Sequence, residues 1–294
     1  GGFAAMKLAI ASGKGGVGKS MVSSSLAMMF SKEKKIVAVD CDVDAPDLGL
    51  WLGEPKLGKG EKISTSEHAV IDYDKCVGCG KCMQNCRFGA IKRDGSEIRI
   101  MPYLCEGCGV CEHVCPTDAI SLKPVYNGEI IQKQTRSGFP LVTGLMYPGE
   151  TGSGKIVTAL KEKAEKFEHD ILLMDSAAGI GCPVIASLNG VDYAVLVTEP
   201  TPSGFSDLKR VLEIVRHFAV PYCVVINKWD INEEMSSEIE GWAGDSLIGK
   251  LPFDKKVFQS ISELEPIMDG DSKVACEMKK IFDSLKERLK DGGL

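Results

Sequence analysis

The chain has 294 residues, 44% of them hydrophobic and 26% charged, and carries a net charge of −6. This is the composition of a globular protein long enough for a sizeable core, in one large domain or two unequal ones. An acidic balance argues against a broad basic nucleic-acid-binding face, and no apolar run reaches the length of a membrane span.

GGFAA before Met6 reads as an added leader, and no secretory signal is recognised, so a cytoplasmic protein without stable membrane insertion is expected. MKLAIAS at 6–12 predicts a short buried strand, followed by a Gly-rich turn and a helix from about 19 to 32. IVAVDCD at 36–42 predicts a second buried strand, and this β–loop–α–β order opens a doubly wound sheet. KLGKGEK at 56–62 reads as a linker, and from 63 to about 125 the composition shifts to Cys and Gly. The α/β rhythm then resumes, with strands expected at 139–148, 170–175, 192–198, 222–227 and 246–252 and helices at 153–167, 203–218 and 232–243. Runs such as DILLMD, DYAVLVT and YCVVIN suit a parallel sheet buried on both faces. The expected fold is α/β: a doubly wound, mostly parallel sheet over 6–62 and 126–294, interrupted by a separate unit at 63–125. Chain entropy permits the interruption, since each doubling of a surface loop costs only about 0.6 kcal/mol. A last helix at 272–290 spaces Val274, Met278, Ile281, Phe282, Leu285 and Leu289 along one face. Its polar face mixes both charge signs, which favours covering the sheet over lying in a membrane surface.

GKGGVGKS at 13–20 satisfies G-x-x-x-x-G-K-[ST] between a predicted strand and a predicted helix. Gly13, Gly15, Gly16, Val17, Gly18, Lys19, Ser20 and Met21 are therefore candidate phosphate-binding positions. The glycines let backbone N–H groups turn inward, and the helix N-terminus adds partial positive charge. Lys19 is expected to reach the β/γ-phosphates and Ser20 to ligate Mg²⁺.

Of twelve cysteines, eight fall between Cys76 and Cys115. A disulfide framework belongs to short secreted chains, so metal ligation is the expected role here. Cys76-x2-Cys79-x2-Cys82-x3-Cys86 and Cys105-x2-Cys108-x2-Cys111-x3-Cys115-Pro116 form an internal repeat, each followed by an Ala-Ile pair at 90–91 and 119–120. This is the bacterial ferredoxin run, in which three thiolates wrap one [4Fe–4S] cubane and the fourth reaches the other. One cluster is then expected on Cys76, Cys79, Cys82 and Cys115, the other on Cys105, Cys108, Cys111 and Cys86. Cys-x2-Cys pairs also bind zinc, but the third cysteine and the duplicated fourth favour iron–sulfur. Arg87 stands where the second run has Pro116 and reads as solvated. Two oxidised clusters add roughly −4 to the charge, which favours basic partners. Cys41, Cys223 and Cys276 lie in apolar patterns and are expected to be buried free thiols.

Lys14 makes the first motif GKGGVGK, which resembles the deviant P-loop of the MinD/ParA/Mrp and nitrogenase iron-protein family. The resemblance implies that Lys14 acts in trans across a nucleotide-sandwich dimer, either a homodimer or a heterodimer with a related ATPase. It implies ATP or ADP with Mg²⁺ as ligands and Asp42 as the aspartate that orients attacking water, with Asp40 and Asp44 flanking it. Asp175, ending DILLMD, resembles the Walker B carboxylate, and SAAGIG at 176–181 the following switch loop. Asn227 and Lys228 resemble the adenine-side positions, although NKWD at 227–230 also resembles the guanine-reading NKxD of GTPases; Pro252 and Phe253 would lie beside the base. In the iron protein a cysteine this far beyond the Walker B position binds a bridging cluster. Cys182 matches it, but no second cysteine lies between Tyr126 and Ile171, so a structural role is expected. The whole chain resembles MinD-superfamily ATPases carrying an inserted α+β two-cluster ferredoxin domain. Such a protein is expected to couple Mg-dependent ATP hydrolysis to electron transfer or to cluster delivery, with a redox partner or cluster-acceptor protein. The alternative is a Min/Par-type positioning ATPase that uses its clusters as redox sensors or structural elements.

Overall fold

A computed structural model describes residues 5–291; most of the GGFAA leader, and the last three residues of the range assigned to the ATPase domain, lie outside them. The chain opens with β1 (Met6–Ser12), α1 (Lys19–Phe30), β2 (Ile36–Asp40), α2 (Leu48–Trp51) and β3 (Glu61–Ile63). The Cys-rich stretch forms β4 (Ser66–Ile71), α3 (Lys81–Asn85), β5 (Ile91–Asp94), β6 (Glu97–Ile100), α4 (Val110–His113) and β7 (Ile120–Val125). There follow β8 (Gly128–Gln134), β9 (Pro140–Met146), α5 (Ser153–Ala164), β10 (Ile171–Ala178), α6 (Cys182–Leu188) and β11 (Tyr193–Thr198). The remainder is α7 (Pro202–His217), β12 (Tyr222–Asn227), α8 (Glu233–Ala243), β13 (Leu247–Leu251), α9 (Lys255–Glu263) and α10 (Lys273–Asp291).

Nine strands make one sheet in the order β13-β12-β11-β1-β10-β2-β9-β8-β3. All its pairings are parallel except β9–β8 and β8–β3. The antiparallel edge was not visible in the sequence pattern: Glu61–Ile63 lies partly in the stretch read as linker, and β8 has too weak an apolar alternation to declare itself. One face of the sheet packs Leu8, Ile10, Leu173, Val195 and Val225 against α1 and α10. The other packs Ala9, Val37, Leu172, Ala194 and Val224 against residues of α5 to α8. All six apolar positions of α10 are buried, and Phe282 meets Phe30 edge-on at 4.7 Å. Cys276 is exposed, contrary to expectation, because it falls off the stripe defined by Val274 and Met278; Cys41 and Cys223 are buried.

The Cys-rich segment has its own small core of Ala69, Cys82, Ala90, Ile91, Ile98, Cys105, Cys111 and Ile120. Its ends meet where Asn127 N donates to Ile63 O at 3.1 Å. The chain can therefore leave and re-enter the large sheet at one point.

Candidate functional site: a glycine-rich phosphate loop and two four-cysteine pockets

β10 runs between β1 and β2, so the carboxyl ends of three strands converge and Asp175 pairs in register with Asp40. Ligands of open α/β sheets bind in such a crevice. The loop from β1 to α1 closes it. Gly16 and Gly18 take φ of 77° and 91°, left-handed values that glycine adopts without steric cost. A Cβ on Gly18 would lie 2.2 Å from Asn227 Nδ2, and one on Gly13 would lie 2.0 Å from the Asp207 carbonyl oxygen. These two glycines let β12 and α7 close on the loop. At Gly16 nothing lies within 4 Å of a Cβ position, and at Gly15 only the Ala178 methyl at 3.9 Å, so that side of the loop is open to a ligand.

Lys19 is buried, with Nζ 2.7 Å from Asp175 Oδ1 and 3.2 Å from Ser20 Oγ. Burial alone would lower its pKa, but the Asp175 carboxylate beside it holds it above the ordinary lysine value. Ser23, one helical turn after Lys19, donates to the same Oδ1 at 2.6 Å. Oδ2 of Asp175 is buried and has no hydrogen-bond partner. Buried polar atoms are nearly always satisfied. A ligand could supply the missing donor, such as water on a Mg²⁺ ion, so the residues present fit a Mg²⁺–nucleotide. The Met21 side chain belongs to the core, which leaves only its backbone for the loop.

Asp40 is fully buried; its oxygens accept from Asp42 N at 3.1 Å and Leu48 N at 3.0 Å. Burial and the nearby Asp175 charge push its pKa well above the carboxylate range. Asp40 thus frames the loop, while Asp42 stands half-buried at the rim with Oδ1 accepting from Ala45 N at 3.2 Å. Burial also raises the pKa of Asp42 and of Asp47. Asp44 is exposed. Sequence reasoning missed Ser23 and Asp47. The available signals were the i+4 spacing from Lys19 and the aspartate before the short helix LGLW.

Lys14 Nζ pairs with Glu199 Oε1 at 2.9 Å, and Lys228 Nζ with Glu199 Oε2 at 3.1 Å. Burial would raise the Glu199 pKa, but the two ammonium groups hold it below the ordinary value. Lys228 also donates to Gly16 O at 2.9 Å, and Asn227 Nδ2 to Val17 O at 2.7 Å. Asn227 Oδ1 accepts from Lys228 N at 3.0 Å, so one amide N–H holds the loop while a second N–H and one lone pair remain free among the described residues. Asp230 Oδ1 accepts from Phe253 N at 2.6 Å, which brings NKWD and the 252–253 segment together at the β12 and β13 ends. The Phe253 ring is exposed.

The eight clustered cysteines divide into two sets. Cys76, Cys79, Cys82 and Cys115 line one pocket with Ile71 and Ile98. Cys86, Cys105, Cys108 and Cys111 line the other with Ala69 and Leu122. All eight are free thiols. Gly78, Gly80, Gly107 and Gly109 take φ between 62° and 77°, which lets the loops wrap the pockets. Each pocket gathers four thiols drawn from both cysteine runs, the donor set that a four-thiolate cluster requires. The residues present therefore fit two clusters.

The second pocket adjoins the large sheet's domain. The Cys105–Cys108 loop rests on β4: Ala69 N donates to Cys105 Sγ at 3.4 Å, and a Cβ on Gly107 would lie 2.2 Å from Glu67 O. β4 in turn meets the loop before α5, where His68 Nε2 lies 3.4 Å from Glu150 Oε2 and a Cβ on Gly152 would lie 3.1 Å from Ser66 Oγ. Buried Asn127 ties this joint, donating to Thr151 O at 2.8 Å and accepting from Thr65 N at 2.9 Å. Inside α5, Gly154 backs onto the exposed Cys182, which starts α6 after the 179–181 loop beyond Asp175.

Residues 8–267 match the family model described as the CobQ/CobB/MinD/ParA nucleotide binding domain. An iron–sulfur cluster carrier protein of Pyrococcus abyssi is 24% identical over 309 aligned positions, covering 97% of this chain and 87% of the relative. A ferredoxin of Methanocaldococcus jannaschii is 40% identical over 58 residues, 94% of its own length and 19% of this chain. The fold is similar to that of the septum site-determining protein MinD of Pyrococcus horikoshii, solved with Mg-ADP. The TM-score is 0.62 at 16% identity, with 98% and 99% of the two chains covered.

Proposed function

The chain belongs to the CobQ/CobB/MinD/ParA nucleotide-binding family, and from that premise we propose that it is an ATP-hydrolysing switch coupled to two [4Fe–4S] clusters, serving electron transfer or cluster delivery to a partner protein. The observation that carries this reading is the segregation of the eight thiols into two pockets of four, one resting on the strand that meets the nucleotide domain. Residues 6–62 and 126–294 form the ATPase unit in this reading, and 63–125 the ferredoxin unit.

Backbone N–H groups of Gly15 to Ser20 bind phosphate oxygens, and Lys19 exchanges Asp175 for phosphate. Ser20 and Asp175 position Mg²⁺ or its waters, and Asp42 orients the attacking water from the rim. Lys14 leaves Glu199 to meet the phosphates of a partner subunit, where such a charge accelerates related phosphoryl transfers by roughly 10³–10⁵. Asn227, Lys228, Pro252 and Phe253 flank the base. When bound, the clusters supply one-electron chemistry; the chain's part is to hold them with the eight cysteines and to exclude water with Ile71, Ile98, Ala69 and Leu122.

Turnover of anaerobically purified protein with its clusters reduced and then oxidised tests the reading. Rates that differ several-fold are expected. Equal rates, together with ATP-dependent dimerisation that ignores redox state, would replace it with a positioning ATPase of the Min/Par type.

A further inference from the structure

The two pockets are related by an internal repeat, which allows them to be compared position by position. Gly80 of the first run corresponds to Gly109 of the second, and Arg93 corresponds to Leu122. The structure keeps this correspondence. A Cβ on Gly80 would lie 3.2 Å from the Arg93 guanidinium, and one on Gly109 would lie 3.7 Å from Leu122 Cδ1. A cation thus occupies, beside the first pocket, the place an apolar side chain occupies beside the second. Arg93 also donates to Gly78 O at 2.8 Å, inside the Cys76–Cys79 loop. Its partner is a neutral carbonyl, so its charge is not cancelled there.

Other paired positions point the same way. Val77 corresponds to Glu106, Lys81 to Val110 and Met83 to Glu112; Arg87 does not join them, because it lies between Cys86 and Phe88, which line the second pocket. Lys81 is exposed, as are Glu106 and Glu112, and Glu106 lines the second pocket. Asp94 against Lys123 runs the other way, as do Arg87 beside Cys86 of the second pocket and Asp118 beside Thr117 of the first, but Arg93 is the charge that bonds a cysteine loop directly. Reduction adds a negative charge to a cluster whose thiolates already make it anionic. Nearby cations stabilise that charge and nearby carboxylates oppose it, so net charge and hydrogen bonding around the sulfurs set the potential.

We propose that the clusters are inequivalent, that the cluster on Cys76, Cys79, Cys82 and Cys115 has the higher potential, and that Arg93 is the positioning residue that sets the difference. The first electron then rests on this outer cluster. The cluster whose Cys105–Cys108 loop packs on Glu67 and Ala69, at the end of β4 that meets the nucleotide domain, is the stronger reductant. Although the whole chain is acidic, the outer cluster opens beside Lys81 and Arg93, so the electron carrier that meets it is an acidic one.

This inference rests on the cluster reading, and the test separates the two. Iron and sulfide analysis comes first: about eight of each per chain establishes the clusters, and a shortfall in the unmodified protein would fail that reading rather than this one. A potentiometric titration with dithionite, followed by electron paramagnetic resonance, then orders the clusters. Cys79→Ser and Cys108→Ser assign the signals by perturbing one cluster each. At one electron per chain, a preference for the outer cluster of about tenfold or more is expected, equivalent to ~59 mV. Arg93→Gln, which keeps a donor but removes the charge, lowers that preference several-fold, and Arg93→Lys retains most of it. The inner cluster reducing first, an Arg93→Gln profile equal to the unmodified one, or equal losses in both variants would overturn the proposal.

Discussion

At the scale of single residues, Asp175 is the centre of the candidate site. One of its oxygens receives both Lys19 and Ser23, and the other receives nothing although it is buried. Removing one partner of a buried ion pair strands the other charge, at about 3–5 kcal/mol. Lys19→Ala is therefore expected to lose hydrolysis and also to lower the stability of nucleotide-free protein by about that amount in urea unfolding. A surface lysine would cost almost nothing. Lys14 is held differently, by a carboxylate that also holds Lys228. The two lysines keep the Glu199 pKa depressed. The ion pairs are therefore complete at neutral pH, persist through the ordinary glutamate range, and are lost only as pH falls through the lowered value. Glu199→Gln frees Lys14, and sedimentation with ATP is expected to show self-association at several-fold lower protein concentration. Unchanged association would show that Glu199 does not restrain Lys14.

Among the elements, the Cys-rich insert and α10 draw on opposite sources of stability. The insert's core holds eight buried residues, three of them cysteines expected to bind iron. So small a core rarely folds without a metal or disulfide staple. Chelating the iron is expected to unfold 63–125 while the nine-stranded sheet persists. Limited proteolysis would then cut first within the insert, and a single cooperative loss of both units would contradict this. α10 instead buries its whole apolar stripe on the sheet. Phe282→Ala is expected to destabilise by about 3–5 kcal/mol, and the intact protein should not sediment with lipid vesicles. The local motifs were legible in the sequence because their meaning lies in spacing. Lys19 and Ser20 follow their glycines directly, and the cysteine runs repeat within a few turns of chain. What was not legible is long-range. Glu199 meets Lys14 across 185 positions, Asn127 ties Thr65 to Thr151, and β8 joins the sheet as an antiparallel strand between β9 and β3. No local pattern encodes such pairings. Asn227 shows a related limit, since its motif marked the position while its hydrogen bond to Val17 O reveals the task.

Across the whole molecule one set of contacts joins the cysteine-rich unit to the segment beyond Asp175. From the Cys105–Cys108 loop, contact passes to β4, to the 149–152 loop, through α5 to Cys182, and on to the segment that follows Asp175. Contiguity alone does not establish coupling; a differential affinity of nucleotide for the two redox states does. Linkage is reciprocal, so if reduction alters nucleotide affinity, nucleotide must shift the cluster's potential by the same free energy. The direct measurement is a potentiometric titration of the β4-side cluster without nucleotide and with saturating Mg·ATP, using Asp42→Ala to slow hydrolysis. Displaced midpoints are the predicted result, and superimposed curves with nucleotide demonstrably bound would contradict the account.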